Sequence, residues 1–286
     1  MNKKIKVSKE VLALRRAKAY RKAYLDQEFL SSDAMRPVRL QLELQKPEMT
    51  LAEHGVKSTV VVFGSARIWD KPQSEDRAAE VRAMLRKDPK NPILKSKVAS
   101  VEGLKKSVKY YDVARDFGRL VSQADVFKDR KLVVVTGGGP GIMEAANRGA
   151  HDAGAKNIGL NITLDMEQGP NPYISPEFCF RFHYFAIRKM HFVMRARALV
   201  AFPGGFGTMD ELFEVLTLVQ TGKKTRLPII LVGKDYWTDV INFPNMAKWG
   251  YIAKEDLKLF RYAETGAEIL KHIQDFYKTY PLANGK

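Results

Sequence analysis

The chain has 286 residues, 45% hydrophobic and 28% charged, with 48 Lys and Arg against 32 Asp and Glu for a net charge of +16. That length holds one large domain or at most two small ones, and the composition excludes wholesale disorder, a collagen-like repeat and a coiled-coil rod. No apolar run reaches the roughly 18 to 20 residues of a membrane-spanning helix, and the one cysteine, Cys179, cannot form an internal disulfide, which fits a reducing compartment.

The segment 1–28 carries nine Lys or Arg against three acids, among them Lys3, Lys4 and Lys6. Such a field favours anionic partners. Arg15, Arg16 and Lys18 interrupt its one apolar stretch, so no signal peptide is read here and a cytoplasmic location is expected. Residues 1–57 form a basic N-terminal extension with a helical pattern through Val11, Leu12, Arg15 and Arg16. Leu40, Leu42 and Leu44 then alternate like a strand among Gln, Glu and Lys that favour helix, and their type stays open. Val11, Leu12, Leu14, Tyr20, Tyr24 and Leu25 supply enough apolar surface to dock the extension on the core or an oligomer interface. With only Tyr20 and Tyr24 as interleaved aromatics and no recognisable module, nucleic acid is not the expected partner.

Residues 58–286 read as a single domain. Thr59 to Phe63 is a continuous β-branched and aromatic run of the kind found in a buried parallel strand. Similar runs recur at Leu132 to Val135, Ile158 to Ile162, Ala198 to Phe202 and Pro228 to Val232. Helical patterns separate them at Val113 to Val121, Met143 to His151, Ile187 to Met194 and Met209 to Val219, and the polar, Lys-rich stretch 68–106 is an insertion after the first strand. Strand, turn and helix in repetition predict an α/β fold: a doubly wound parallel sheet with helices on both faces, plus the helical extension.

Two strands run into turns that are almost all glycine, Gly137-Gly138-Gly139-Pro140-Gly141 and Pro203-Gly204-Gly205-Phe206-Gly207-Thr208. Each precedes a helical pattern, so backbone N–H groups at a helix N-terminus stand beside a backbone without Cβ atoms, an arrangement suited to anions. Neither turn has the Gly-Lys-Ser/Thr of a Walker loop, and the third glycine of a dinucleotide fingerprint is replaced by Ile142. A smaller phosphorylated ligand remains compatible. Glu211 is expected in the first turn of the following helix, beside the anion site. In Phe185-Ala186-Ile187-Arg188-Lys189-Met190 a charged pair interrupts an apolar helix, and at least one of the two is expected to point at an anionic ligand or at Glu211, exposure on the outer face being the alternative and more so for Lys189 than for Arg188. The five histidines show no metal-ligand spacing, and no metal or cofactor is expected.

Gly137-Gly138-Gly139-Pro140-Gly141-Ile142-Met143, Arg188-Lys189 and Pro203-Gly204-Gly205-Phe206-Gly207-Thr208-Met209-Asp210-Glu211 together resemble the LONELY GUY (LOG) family of cytokinin-activating phosphoribohydrolases, long labelled lysine decarboxylases. Phe185-Ala186 ahead of the arginine, Glu144 after the first turn and the N-terminal extension are similar to the longer bacterial branch. The resemblance implies a Rossmann-like fold, a homodimer or higher homo-oligomer, and hydrolysis of a nucleoside 5′-monophosphate, AMP-like or a cytokinin riboside monophosphate, to free base and ribose 5-phosphate. It places the catalytic roles on Arg188 and Glu211. The residues themselves nominate Gly137, Gly138, Gly139, Gly141, Gly204, Gly205, Gly207 and Thr208 to hold the nucleotide and its phosphate, with Lys189 and with Ser65, for which a structural turn is an equal reading. The rival from another class is a non-catalytic nucleotide-binding or cofactor-carrier protein on the same fold.

Overall fold

The computed structural model describes residues 8–163 and 169–282, so Lys3, Lys4 and Lys6 of the basic segment lie outside the described residues. Contacts divide the chain into two units, 1–48 and 49–286. In the first, α1 (Lys9–Arg16) starts on the Ser8 hydroxyl, which accepts from the Val11 N–H. Asp26 caps α2 (Gln27–Ser31) in the same way. Helix α3 (Arg36–Glu53) runs through the boundary between the units and carries Pro47 inside it. The Leu40, Leu42, Leu44 alternation is therefore helical: the Gln, Glu and Lys around it prevail over the period-two spacing of its leucines. Arg39 closes the end of α2, donating from Nη1 to the Leu30 and Ser32 carbonyls at 2.7 and 2.6 Å.

The second unit follows the expected alternation. Strand β1 (Thr59–Phe63) leads into α4 (Lys71–Lys87), α5 (Pro92–Leu104) and α6 (Lys109–Gln123). Then come β2 (Val133–Thr136), α7 (Ile142–Asp152), β3 (Asn157–Ile162), β4 (Cys179–Phe182) and α8 (Phe185–Met194). The chain continues through β5 (Ala196–Ala201), α9 (Phe206–Gln220), β6 (Ile229–Val232), α10 (Lys234–Val240), α11 (Phe243–Lys248), β7 (Phe260–Ala263) and α12 (Gly266–Thr279). Among the described residues the sheet has seven strands in the order β4-β3-β2-β1-β5-β6-β7, all paired in parallel.

The five expected strands are all present, and the fold class is as the sequence indicated. Two edge strands escaped the sequence reading. In β4 Cys179 and Arg181 are exposed while Phe180 and Phe182 are buried, and in β7 Arg261 is exposed between the half-buried Phe260 and Tyr262; an edge strand needs no continuous apolar run. The insertion 68–106 is a pair of helices whose starts are written locally. The Asp70 carboxylate accepts from Gln73 N at 2.9 Å, and the Asn91 amide oxygen accepts from Ile93 N and Leu94 N at 3.0 and 3.2 Å, leaving Pro72 and Pro92 in first-turn positions that need no N–H donor.

Alternation within the central strands builds two cores. Val61, Phe63, Val135, Leu199 and Leu231 face one side with Phe192, Leu212 and Trp237. Val60, Val62, Val134, Val200 and Ile230 face the other with Tyr111, Phe117, Ile142 and Ile269. Both faces are covered, which is why β1 reads as unbroken Val and Phe. From β1 the chain steps outward through β2, β3 and β4, then returns to lay β5 against the other flank of β1. The reversal leaves a crevice at the carboxyl ends of β1 and β5, where open α/β sheets bind ligands.

Helices α6 and α7 cross with their backbones nearly touching. A Cβ on Gly149 would run into the Arg115 carbonyl oxygen, and one on Gly118 into that of Ala146. We expect Gly149→Ala to lower the free energy of unfolding by about 1–3 kcal/mol through overpacking. Gly103, exposed in α5 with nothing within 4 Å, is the control: Gly103→Ala should stabilise by about 0.5–1 kcal/mol. Urea denaturation of the two variants checks the contrast.

Candidate active site

A cleft of about 910 Å³ occupies this crevice and is lined by both glycine turns, the end of β1, Arg188 and Glu211. Ser65, two residues beyond β1, holds its walls together. Its N–H donates to the Pro203 carbonyl at 3.0 Å, and its own carbonyl accepts from Ile142 N at 3.1 Å. One residue thus ties the second turn to the start of α7. Its hydroxyl accepts from Arg67 N at 3.1 Å. Arg67 also lines the cleft, is exposed, and forms no ion pair among the described residues.

The first turn depends on a buried amide network that sequence reasoning missed. Asn147 accepts from the Thr136 hydroxyl at 2.7 Å and from the Asn171 amide at 3.0 Å, and donates to Asn157 Oδ1 at 2.7 Å. Asn171 in turn donates to the carbonyls of Gly138 and Gly139 at 3.2 and 3.1 Å. Gly138 and Gly141 take φ of +75° and +73°. The Gly138 N–H is already bonded to the Thr136 hydroxyl at 3.0 Å, and Gly141 packs on the Ser65 and Ala66 backbone. These two glycines shape the turn, whereas Gly137 and Gly139 line the cleft.

Gly204, Gly205, Gly207 and Thr208 all line the cleft at the start of α9. Helix α9 begins at Phe206, so its first-turn N–H groups open there. Gly204 is required by a close approach: a Cβ would strike the Thr208 hydroxyl, while its carbonyl accepts from the Tyr236 hydroxyl at 2.5 Å. This early start corrects the expected position of Glu211. The carboxylate sits in the second turn rather than the first, three residues after Thr208 and four before Val215. It therefore lies on the buried stripe of Thr208, Leu212, Val215 and Val219.

Arg188 is only 8% exposed. Its Nε donates to the Leu160 carbonyl on β3 at 2.8 Å, its guanidinium lies over the Phe192 ring at 5.1 Å, and Nη1 stands 3.9 Å from Glu211 Oε1. Gly137 leaves room for it, since a Cβ there would come within 2.5 Å of Nη2. Lys189 turns away from the cleft to Asp210 and Glu214 on α9, at 2.9 and 3.0 Å. The structure thus brings Arg188 and Glu211 together and leaves Lys189 out. Burial pushes the Glu211 carboxyl up to about 7, with Arg188 pulling it down and Asp210 pushing it further up. Burial also works against the Arg188 charge, which Glu211 offsets.

Asn161 and Tyr236 line the cleft as well, and so do Ser100, Leu104 and Ser107 from the insertion and the turn after it. The available signal for Asn161 and Tyr236 was their place at or just beyond the carboxyl ends of strands. No group of three His, Cys, Asp or Glu among the described residues is placed to hold a metal ion.

A doubly wound parallel sheet with a switch-point cleft lined by two glycine turns and a close Arg–Glu pair defines a Rossmann-like α/β protein. Residues 143–273 match the family model described as "Possible lysine decarboxylase". The cytokinin riboside 5′-monophosphate phosphoribohydrolase LOG3 of Arabidopsis thaliana is 30% identical over 183 residues, 62% of this chain and 79% of that protein. The LOG enzyme of Oryza sativa subsp. japonica is 28% identical over 186 residues, 63% of this chain and 72% of that protein. Among solved structures, the molybdenum cofactor binding protein of Rippkaea orientalis aligns over 77% of this chain and 97% of its own, at 16% identity and a TM-score of 0.43. The chain belongs to the LOG family.

The elevated Glu211 pKa has a consequence for stability. A carboxyl at about 7 in the folded chain and 4.5 in the reference state keeps its proton longer when folded, so stability falls as pH rises through that window and levels off above it. We expect the unfolding free energy of the wild type, relative to Glu211→Gln, to drop by about 2–3 kcal/mol between pH 4.5 and 7.5. Parallel denaturant titrations across that range check the sign.

Proposed function

We propose that the protein hydrolyses the N-glycosidic bond of a nucleoside 5′-monophosphate to free base and ribose 5-phosphate. The observation that carries this reading is the Arg188–Glu211 pair, 3.9 Å apart in a cleft lined by both glycine turns and by the start of α9. The relatives named as phosphoribohydrolases support it at the level of reaction class.

The 5′-phosphate belongs at the start of α9, where the first-turn N–H groups and the Thr208 hydroxyl receive it and the free Arg67 guanidinium adds charge. As the C1′–N bond breaks, its electron pair leaves with the base, which gains a proton from solvent, and positive charge builds on the ribose. Glu211 stands where ionised carboxylate offsets that charge, and either accepts the proton of a water adding to C1′ or attacks C1′ itself to form an ester that water then hydrolyses. Arg188 orients the nucleotide and stabilises negative charge on the departing base, an electrostatic contribution strengthened by the burial of its side chain. Because Glu211 must be ionised, turnover should rise with pH through about 7.

Purified protein incubated with nucleoside monophosphates, with free base resolved by chromatography, tests the reading. Activity is expected on AMP but not on adenosine, because phosphate binding energy is spent at the reacting bond. Glu211→Gln and Arg188→Ala should each lower kcat by about 10²–10³ while the fold is retained. Equal turnover of AMP and adenosine would sink the proposal, and tight binding without turnover would point to a carrier.

The protein is further read as a homo-oligomer. Helix α8 leaves Met190 and Met194, four residues apart on one face, exposed, an apolar surface suited to a second copy. Light scattering should give a mass of at least two chains, and Met190→Glu should shift it toward one.

A further inference from the structure

We propose that Asn161 reads the leaving base and selects bases that carry an exocyclic amine. The inference rests on the reading of the cleft as a nucleotide site.

Asparagine is a poor strand former, yet Asn161 stands in β3 between the buried Leu160 and Ile162. Its amide is fixed: Nδ2 donates to the Phe180 carbonyl on β4 at 3.0 Å and lies 3.5 Å from the Gly159 carbonyl and 3.6 Å from Cys179 Sγ. With the nitrogen held by a carbonyl, Oδ1 is the group left to act. It rests against Gly138, where a Cβ would strike it, and accepts from no donor among the described residues. The N–H of Gly138, the residue it rests against, is already bonded to Thr136. An oriented acceptor on a partly buried, cleft-lining side chain calls for a donor supplied by a ligand.

Its place in the sheet says which part of the ligand. The order β3-β2-β1-β5 sets Asn161 three strand spacings, about 14 Å, from the turn that follows β5 and opens α9. Arg188 lies between, reaching from the Leu160 carbonyl on β3 to Glu211 on α9. With phosphate at the α9 turn and the glycosidic bond at the Arg188–Glu211 pair, the part of the nucleotide beyond Arg188 toward β3 is the base. An acceptor there takes the amine of adenine or cytosine. Hypoxanthine and uracil present a carbonyl at that position and set two acceptors face to face, a mismatch that hydrogen-bonding sites reject.

The experiment measures kcat/KM of the wild type for AMP against IMP and CMP against UMP, and binding of the same four nucleotides to Glu211→Gln by calorimetry. The amino member of each pair should be favoured by about 10- to 100-fold in both readouts. Asn161→Leu should bring the ratios close to one while its circular dichroism spectrum stays that of the wild type. The wild-type ranking is decisive even where the variant does not fold. Equal handling of each pair, or a preference that survives in Asn161→Leu, overturns the proposal. Binding that favours AMP and CMP without any cleavage sinks the hydrolase reading and keeps this one. Cleavage without preference does the reverse, and no binding at all overturns both.

Discussion

Two backbone hydrogen bonds at Ser65 are the constraint on which the cleft depends. The strands of a parallel sheet end side by side, but nothing in the sheet ladder fixes the turns beyond them. By donating to Pro203 and accepting from Ile142, Ser65 locks the β5 turn against the start of α7. The walls on either side of the switch point therefore move as one body, and neither bond depends on the Ser65 side chain. What the position requires is a backbone N–H, and the small residues around it, Gly64 and Ala66, permit the approach. A Cβ on Gly64 would come within 2.6 Å of the Ile142 side chain and 2.9 Å of Phe202.

With the walls fixed, electrostatics decide the behaviour of the centre. Opposite charges near 4 Å attract by roughly 4 kcal/mol at an effective dielectric constant of about 20. That attraction is not enough to keep Glu211 an ordinary carboxylate, because burial favours the neutral form more strongly. The pair is consequently poised: the carboxyl exchanges its proton near neutrality instead of being locked into a permanent ion pair. Lys189 shows the alternative. It contacts both Asp210 and Glu214, and so the residue next to Arg188 pulls the Glu211 carboxyl down less than Arg188 itself does.

How much of this was legible depended on whether the signal was local. Buried strands announced themselves because both faces of β1 must be apolar, and the glycine turns because close approach and positive φ leave few alternatives. Arg188 stood out because a charged side chain in an apolar helix needs a reason. The edge strands β4 and β7 did not, since Arg181 and Arg261 interrupt their apolar pattern. Glu211 was placed a turn too early because Phe206 and Gly207 enter the helix, against the low propensity of glycine, once Gly205 stands ahead of the first turn. The amides of Asn147, Asn157 and Asn171 were invisible for a different reason. They are up to 24 residues apart and converge only when α7, β3 and the loop before β4 are assembled.

The insertion after β1 adds a wall of its own to the cleft. A crossover from β1 to α6 could be brief, yet here α4 and α5 intervene, and Ser100, Leu104 and Ser107 reach the cleft from that side. The glycine turns and the Arg188–Glu211 pair come from sheet termini and from helices packed on the sheet, which the core holds in place. The insertion is held by less: in α5 no residue is fully buried, and in α4 only Ala78 is. Elements with few buried apolar contacts open at lower free energy than the core they border. The Arg188–Glu211 pair is therefore carried by the well-packed part of the molecule, and one wall of its cleft borders helices with few buried side chains.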